Sequence, residues 1–93
     1  MKIIEPGHVY ELENVDGTEP NQTIHFLKKT FTTDEDGVRH QNVADGVNTE
    51  EVILMLLDRT SYINEHYPSN ENAFVIDNLK AALTWLAKRP PSA

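Results

Sequence analysis

The sequence predicts an α+β chain in which a small N-terminal antiparallel β region precedes an antiparallel hairpin of two helices. Short apolar alternations separated by turn residues occupy the first half of the 93 residues, as is typical of hairpin strands. Two longer stretches with helical periodicity follow, separated by a short break that contains proline. We therefore expect one domain over residues 1–93, with the β region in 1–46 and the helical hairpin in 47–93.

Three strands are predicted in the β region. Residues 8–12 alternate weakly between apolar and polar side chains, and the Asp-Gly pair at 16–17 marks the turn that follows. The longest candidate strand covers residues 22–31, with apolar groups on both of its faces. After an acidic turn at 34–37, residues 38–43 form the third candidate.

The first helix is predicted over residues 49–65. Asn48 at the N-cap position places Glu51 at N3, which is the spacing of a capping box. Residues 52–57 are all apolar, and at helical spacing they surround the helix on nearly every side. One sheet and one partner helix cover only part of that surface, so the remainder predicts a subunit interface and an oligomer.

The second helix is predicted over residues 71–88. Pro68 disfavours helical backbone in the residue before it and so separates the two helices. Pro90 and Pro91 end the second helix. Because the connection is short, the two helices are expected to pack antiparallel.

Composition excludes several classes of partner. The formal net charge is −7, from fifteen acidic and eight basic residues, whereas duplex nucleic acid requires a cationic face. The longest apolar run is far too short to span a membrane, and the N-terminus lacks the pattern of a secretion signal. We therefore expect no duplex nucleic acid, no membrane and a cytoplasmic location. A small anionic ligand remains compatible, because its pocket needs only a few local cations.

Catalysis and metal binding are not predicted. The sequence contains no nucleophile elbow, phosphate-binding loop or dinucleotide motif. It has no cysteine, and its four histidines do not pair at metal-ligand spacing. The chain is therefore expected to be neither an enzyme nor a metal or cofactor protein.

Several segments resemble the phage anti-Thoeris sponge family, and their order and spacing carry the resemblance over most of the chain. In the β region they are residues 3–12 (IIEPGHVYEL) and 22–29 (QTIHFLKK). In the helices they are residues 48–52 (NTEEV), 57–59 (LDR) and 62–64 (YIN), then Pro68, Asn72 and residues 79–83 (LKAAL). The glycine-rich loop that precedes the first helix in the family is reduced here to Asp45 and Gly46.

The resemblance implies a function in immune evasion. The family binds glycocyclic ADP-ribose, the messenger of bacterial Thoeris defence, and holds it without cleaving it. Its helical hairpin is shared with the phage anti-CBASS sponges, which implies cyclic di- or trinucleotides as further ligands. Some members form hexamers with ligand sites between subunits, which implies a homo-oligomer, a hexamer, acting in the cytoplasm of the infected bacterium. The alternative is an acidic protein-interaction module that inhibits a host protein.

The same resemblance assigns ligand contacts in the first helix. Matching its Glu-Glu-apolar start onto the anti-CBASS hairpin places Arg59 at the residue that contacts ligand phosphate. Ser61 then corresponds to an assisting hydroxyl group, with Thr60 as the neighbouring choice. The alternative for Arg59 is an ion pair with Asp58, Glu50 or an acid of a neighbouring helix. The resemblance places the Thoeris messenger against the β region and the start of the first helix.

Further candidates follow from residue chemistry. Lys28 and Lys29 are adjacent in a strand and so point to opposite faces; we favour Lys29 as the ligand contact, against protection of a strand edge by charge. Arg39 and His40 are candidates for a pyrophosphate, against a solvated loop pair.

Asn48 and Thr49 begin a helix, where free backbone N–H groups favour anions, against plain capping. Tyr62 is the favoured residue for stacking on adenine. The other aromatic candidates fit the packing expected of a core better, and they are Tyr10, Phe31 and Trp85.

Overall fold

The computed structural model describes residues 1–90, so the predicted terminator Pro91 lies outside the described residues. Five strands precede two helices, which confirms the α+β class. The strands are β1 (Lys2–Glu5), β2 (Val9–Leu12), β3 (Gln22–His25), β4 (Lys28–Thr33) and β5 (Arg39–Ala44), and the helices are α1 (Thr49–His66) and α2 (Asn70–Ala87). The chain forms two compact units that meet in sequence between Asn48 and Thr49. The assignment of both to one domain stays a prediction.

Strands β1, β2 and β3 form an antiparallel sheet in that order. Tyr10 pairs with Ile3 on one side and with Ile24 on the other, so these side chains share one face. The Tyr10 ring also meets the Phe26 ring edge-on, with centroids 5.8 Å apart. Strand β1 was not among the predicted strands, because its four residues are too few to show an alternation.

The prediction of one strand over residues 22–31 is wrong, because the chain changes sheets at Phe26 and Leu27. The His25 carbonyl accepts a hydrogen bond from the Val47 N–H at 2.8 Å, and the Leu27 N–H donates to the Val47 carbonyl at 2.9 Å. Val47, in the segment that follows β5, therefore occupies the backbone hydrogen-bonding groups of His25 and Leu27. As a result β3 ends at this point, and β4 begins in a separate sheet.

Strands β4 and β5 form a two-stranded antiparallel hairpin. Its turn is the predicted acidic one, with Gly37 at a φ of 78°. The Asp34 carboxylate accepts hydrogen bonds from the N–H groups of Asp36 at 3.0 Å and Val38 at 2.8 Å. Its other oxygen lies 2.7 Å from His40 Nε2. The hydrogen bond with His40 and the one from Val38 hold the pKa of Asp34 below its ordinary value.

The two helices contact each other, and only three residues connect them, so they form the expected antiparallel hairpin. Ser69 caps α2 by accepting a hydrogen bond from the Asn72 N–H at 3.0 Å. The Ser69 N–H in turn donates to the Asn64 side chain at 3.0 Å. The half-buried side of the hairpin is apolar, with Ile53 and Leu57 on α1 and Leu79 and Leu83 on α2 among its members.

No side chain among residues 1–90 is fully buried. On α1, the exposed fractions of Leu54, Met55 and Leu56 are 48%, 54% and 44%. These residues belong to the six-residue apolar run. About half of the surface of each of the three is therefore exposed to water in a single copy of the chain. Neither described helix is long and apolar enough to cross a membrane.

Candidate functional site

The nine candidate ligand residues are divided between the two units. The first unit holds Lys29, Arg39, His40 and Asn48, and the second holds Thr49, Arg59, Thr60, Ser61 and Tyr62. All of them are exposed except Thr60, which is half-buried. Each unit therefore presents its own candidate surface, and the two surfaces are described in turn.

The first surface is one face of the β4–β5 hairpin, here named the Phe31 face. In the observed register, Lys29 is opposite Val43, Phe31 is opposite Gln41 and Thr33 is opposite Arg39. Residues directly opposite each other in an antiparallel pair project from the same face. The Phe31 face therefore consists of Lys29, Phe31, Thr33, Arg39, Gln41 and Val43.

Phe31 is the apolar centre of this face, and the expectation that it packs in a core is wrong. Its exposed fraction is 52%. The guanidinium carbon of Arg39 lies 4.0 Å from the ring centroid, which is a cation–π contact. A half-exposed aromatic ring beside a guanidinium is chemically suited to stacking on a planar ligand.

The charges of the hairpin differ between its two faces. On the face opposite to the Phe31 face, Lys28 is hydrogen-bonded to Glu5 and His40 to Asp34. The hydrogen bond from Lys28 lowers the pKa of Glu5 below its ordinary value. Lys29 and Arg39 have no acidic partner within residues 1–90. The two cations of the Phe31 face are therefore the ones available to an anion.

The hairpin also separates two neighbouring candidates. Arg39 and His40 are consecutive in β5, so their side chains project from opposite faces. His40 is paired with Asp34 at 2.7 Å, whereas Arg39 covers Phe31. One ligand on the Phe31 face therefore meets Arg39 but not His40.

The second surface is a strip along α1, here named the Arg59 strip. It consists of Met55, Arg59, Tyr62 and His66, whose spacing of four, three and four residues places them on one side of the helix. All four are exposed. The rings of Tyr62 and His66 contact each other in a tilted arrangement, with centroids 4.4 Å apart and an angle of 35° between their planes. His66 Nδ1 lies 2.9 Å from the Tyr62 carbonyl oxygen, which fixes the imidazole beside the phenol ring.

Arg59 is available to an anion on this strip. Of the acids considered as its partner, Glu50 is bound to Arg89 instead. In the part of the chain that the structure describes, Arg59 forms no ion pair with any acid. A guanidinium without a carboxylate partner can offer its fork to a phosphate.

Ser61 and Thr60 do not join Arg59 on its side of α1. Residues two apart on a helix are turned by about 200°, so Ser61 lies on nearly the opposite side from Arg59. Thr60 belongs to the half-buried side that contains Leu57. A single small ligand therefore cannot meet Arg59 and Ser61 of the same copy.

Asn48 and Thr49 stand at the start of α1, as expected from the sequence. Both are exposed. The capping box between Asn48 and Glu51 stays a prediction, as does a ligand at this helix end.

Sequence reasoning missed Gln41 and His66 as members of candidate surfaces, and it considered Phe31 for stacking but favoured a core position. The signal for Phe31 was its alternation with Lys29, which places both on one face of a strand. The signal for His66 was its spacing of four residues from Tyr62 and seven from Arg59. Gln41 gave no signal, because only the register of the hairpin places it beside Phe31.

The two surfaces have the chemistry of binding sites for anionic ligands with planar groups. Each combines an exposed aromatic ring with a cation that lacks an acidic partner in the described residues. Among residues 1–90, no group of three or more histidine, aspartate or glutamate side chains is arranged to hold a metal ion. The fold and the surfaces thus define a small α+β protein with two candidate ligand-binding faces.

Comparison with known proteins supports a relationship with phage anti-defence proteins. The chain is 43% identical over 47 residues to Thoeris anti-defense 1 of Bacillus phage SBSphiJ7. The matched segment covers 50% of this chain but only 33% of the relative, so the chain spans about a third of the curated relative's length. No family model and no solved structure matches the chain. The match supports a family relationship to the anti-Thoeris proteins, in agreement with the resemblance found in the sequence.

Proposed function

We propose that this chain is a phage immune-evasion protein that binds nucleotide second messengers and sequesters them without cleaving them. The observation that carries the proposal is the pairing, in each unit, of an exposed aromatic ring with an arginine that has no acidic partner in the described residues. The relationship to a phage Thoeris anti-defense protein supports glycocyclic ADP-ribose as the principal ligand. Cyclic di- or trinucleotides are the second proposed class, for the Arg59 strip.

The energy that sequestration requires favours a ligand enclosed between copies of the chain. A nanomolar dissociation constant corresponds to about 12 kcal/mol. Stacking of one base contributes roughly 1–3 kcal/mol, and each hydrogen bond to a charged group about 1.5–3 kcal/mol. One ring and two cations therefore supply roughly 4–9 kcal/mol, before the cost of immobilising the ligand. A second copy must provide the remaining contacts.

The exposed apolar surface supports the same assembly. A chain of 93 residues with no fully buried side chain among residues 1–90 has little to stabilise it as a monomer. Burying Leu54, Met55 and Leu56 against another copy removes apolar area from water and stabilises both copies. The proposed assembly is a homo-oligomer, a hexamer by resemblance. It acts in the cytoplasm of the infected bacterium, and binds neither duplex nucleic acid nor membranes.

Contacts from two copies also account for the arrangement of Arg59 and Ser61. Because these residues lie on nearly opposite sides of α1, a ligand between neighbouring helices meets Arg59 of one copy and Ser61 of the next. Tyr62 stands beside Arg59 and supplies a stacking surface for a base. The other proposed ligand contacts, not all of which belong to one ligand, are Thr60, Lys29, Arg39, His40, Asn48 and Thr49.

Calorimetry followed by recovery of the ligand tests the proposal. Glycocyclic ADP-ribose is titrated into the full chain, and the complex is then heated to release the ligand for mass analysis. We expect saturable binding and a released ligand of unchanged mass. Absence of binding by this messenger and by cyclic di- and trinucleotides would refute sequestration, and a released ligand of altered mass would point to an enzyme.

Replacement of Arg59 tests its assigned contact. Arg59→Ala is expected to weaken binding of one ligand class by tenfold or more, because a lost charged contact costs about 1.5–3 kcal/mol. Lys80→Ala is the matched control, since Lys80 is an exposed cation on α2 outside the Arg59 strip. Equal affinities of the Arg59→Ala variant and the control for both ligand classes would reject the assignment.

The second candidate function is an acidic module that masks a host protein. The net charge of −7 favours it, because acidic surfaces can imitate the charge of nucleic acid. The two functions differ in what co-purifies from infected cells. A nucleotide released by denaturation supports sequestration, whereas a host polypeptide held in stoichiometric amount supports the acidic module.

A further inference from the structure

We propose that the Phe31 face selects adenine over guanine, with Phe31 as the stacking surface and Gln41 as the residue that reads the edge of the base. This inference rests on the proposed function, because it assigns the base specificity of one nucleotide site. Three features of the face carry it: an accessible ring, an amide beside that ring, and two cations at a suitable distance.

The ring of Phe31 is open to a base. Arg39 covers one side of it at 4.0 Å, yet 52% of the residue remains exposed, so a large part of the side chain is accessible to a ligand. Val43, 57% exposed, projects from the same face two residue pairs away along the hairpin. A base stacked on the free side of Phe31 thus meets apolar groups on two sides. Every base has a π face, so stacking alone does not select among bases.

Gln41 supplies the selection. It lies directly opposite Phe31 in the register of the hairpin, and its side-chain amide has no hydrogen-bond partner within residues 1–90. A glutamine amide presents one acceptor and one donor group side by side. Adenine presents the complementary pair, since its 6-amino group donates and its N7 accepts. Guanine presents two acceptors on that edge, so the amide oxygen of Gln41 would face a carbonyl oxygen.

Lys29 and Arg39 complete a nucleotide site around the base. Each belongs to the nearest residue pair on the same face as the Phe31–Gln41 pair, two residues or about 7 Å along the strands in either direction. A base at the central pair therefore places its 5′-phosphate within reach of a long cationic side chain. Neither cation has an acidic partner in the part of the chain described, in contrast to Lys28 and His40 on the other face.

The test is a pair of NMR titrations of the ¹⁵N-labelled full chain, one with AMP and one with GMP. We expect AMP to bind at least about fivefold more tightly, the lower end of the discrimination that a bidentate amide contact provides. The shifted amides are expected in residues 29–33 and 39–43. In Gln41→Ala, the two affinities are expected to agree within about twofold while AMP still binds. Gln22→Ala, which removes an exposed strand glutamine from the other sheet, is the matched control and keeps the wild-type ratio.

The outcomes separate this inference from the proposed function. Equal affinities for AMP and GMP in the wild type, no binding of either, a ratio unchanged in Gln41→Ala, or shifts confined to other residues would each overturn the inference. Binding of glycocyclic ADP-ribose is measured independently by calorimetry on the same samples. If the messenger binds while AMP and GMP are not distinguished, only the base assignment is wrong. If AMP is preferred but no messenger binds, the site assignment holds and sequestration does not.

Discussion

Gly46 is the position at which one added methyl group is expected to disrupt the β region. A Cβ atom at this residue would lie 2.4 Å from the His25 carbonyl oxygen, 2.6 Å from the Phe26 carbonyl carbon and 2.8 Å from the Leu27 nitrogen. All three atoms belong to the backbone, so no flexible side chain can move aside. In the alanine variant, residues 46–47 must therefore move away from residues 25–27, with which they pair.

The expected cost follows from the contacts that this retreat breaks. The hydrogen bonds between Val47 and His25 and between Leu27 and Val47 measure 2.8 and 2.9 Å, and each contributes about 1 kcal/mol. Overpacking adds about 1 kcal/mol or more. Replacing glycine by alanine offsets about 0.4–1 kcal/mol of this loss, because alanine lowers the conformational entropy of the unfolded chain. The net destabilisation of Gly46→Ala is therefore about 2 kcal/mol, a fall in Tm of roughly 8–16 °C for a domain of this size.

Thermal unfolding and amide hydrogen exchange measure this effect. Gly46→Ala is expected to lower the Tm and to remove protection at the amides of Leu27 and Val47. Gly17→Ala is the control, since a Cβ there meets no atom within 4 Å and the cost arises from a φ of 76° alone, about 1 kcal/mol. A Tm that is unchanged or raised in Gly46→Ala, with both amides still protected, would refute the steric argument.

Two further predictions address assembly and pH. Leu54→Glu, at a position 48% exposed on α1, is expected to shift the protein to smaller species in size-exclusion chromatography with light scattering, because a charge in an apolar interface is costly. The control Thr84→Glu, on the exposed surface of α2, is expected to leave the size unchanged. Equal sizes of the two variants would contradict an interface at Leu54. Because hydrogen bonds from His40 and Val38 lower the pKa of Asp34, the ionised carboxylate supports the hairpin turn above about pH 3.8, its ordinary value, and this support is lost as the pH falls further. Protection of the Val38 amide, measured as its exchange rate relative to the intrinsic rate at the same pH, is expected to fall in that acid range in the wild type and to show no such step in Asp34→Asn. Identical pH profiles of protection would count against the turn's dependence on this carboxylate.

The helices were predictable from the sequence because their signals are local. The predicted helix over residues 49–65 differs by one residue from α1, and the second by one residue at each end from α2. Periodicity and Pro68 are enough to locate both helices. The strand over residues 22–31 was predicted wrongly because its interruption depends on hydrogen bonds to Val47, which is about twenty residues away in sequence. Val47 can approach this closely only because Gly46 has no side chain.

The candidate surfaces were predictable in part. Helical spacing places Tyr62 close to Arg59, but only the structure shows that Glu50 pairs with Arg89 and leaves Arg59 available. Alternation places Phe31 and Lys29 on one face, but whether that face is covered depends on tertiary structure. An exposed aromatic residue and a core aromatic residue have the same strand spacing, so the sequence favoured the core for Phe31.

Native mass spectrometry of the full chain mixed with glycocyclic ADP-ribose tests whether an oligomer sequesters the messenger, because one spectrum gives the number of copies and the mass of the ligand. We expect a multimer that carries the messenger at its unaltered mass. A monomer with no ligand attached, at a messenger concentration well above that of the protein, would contradict it.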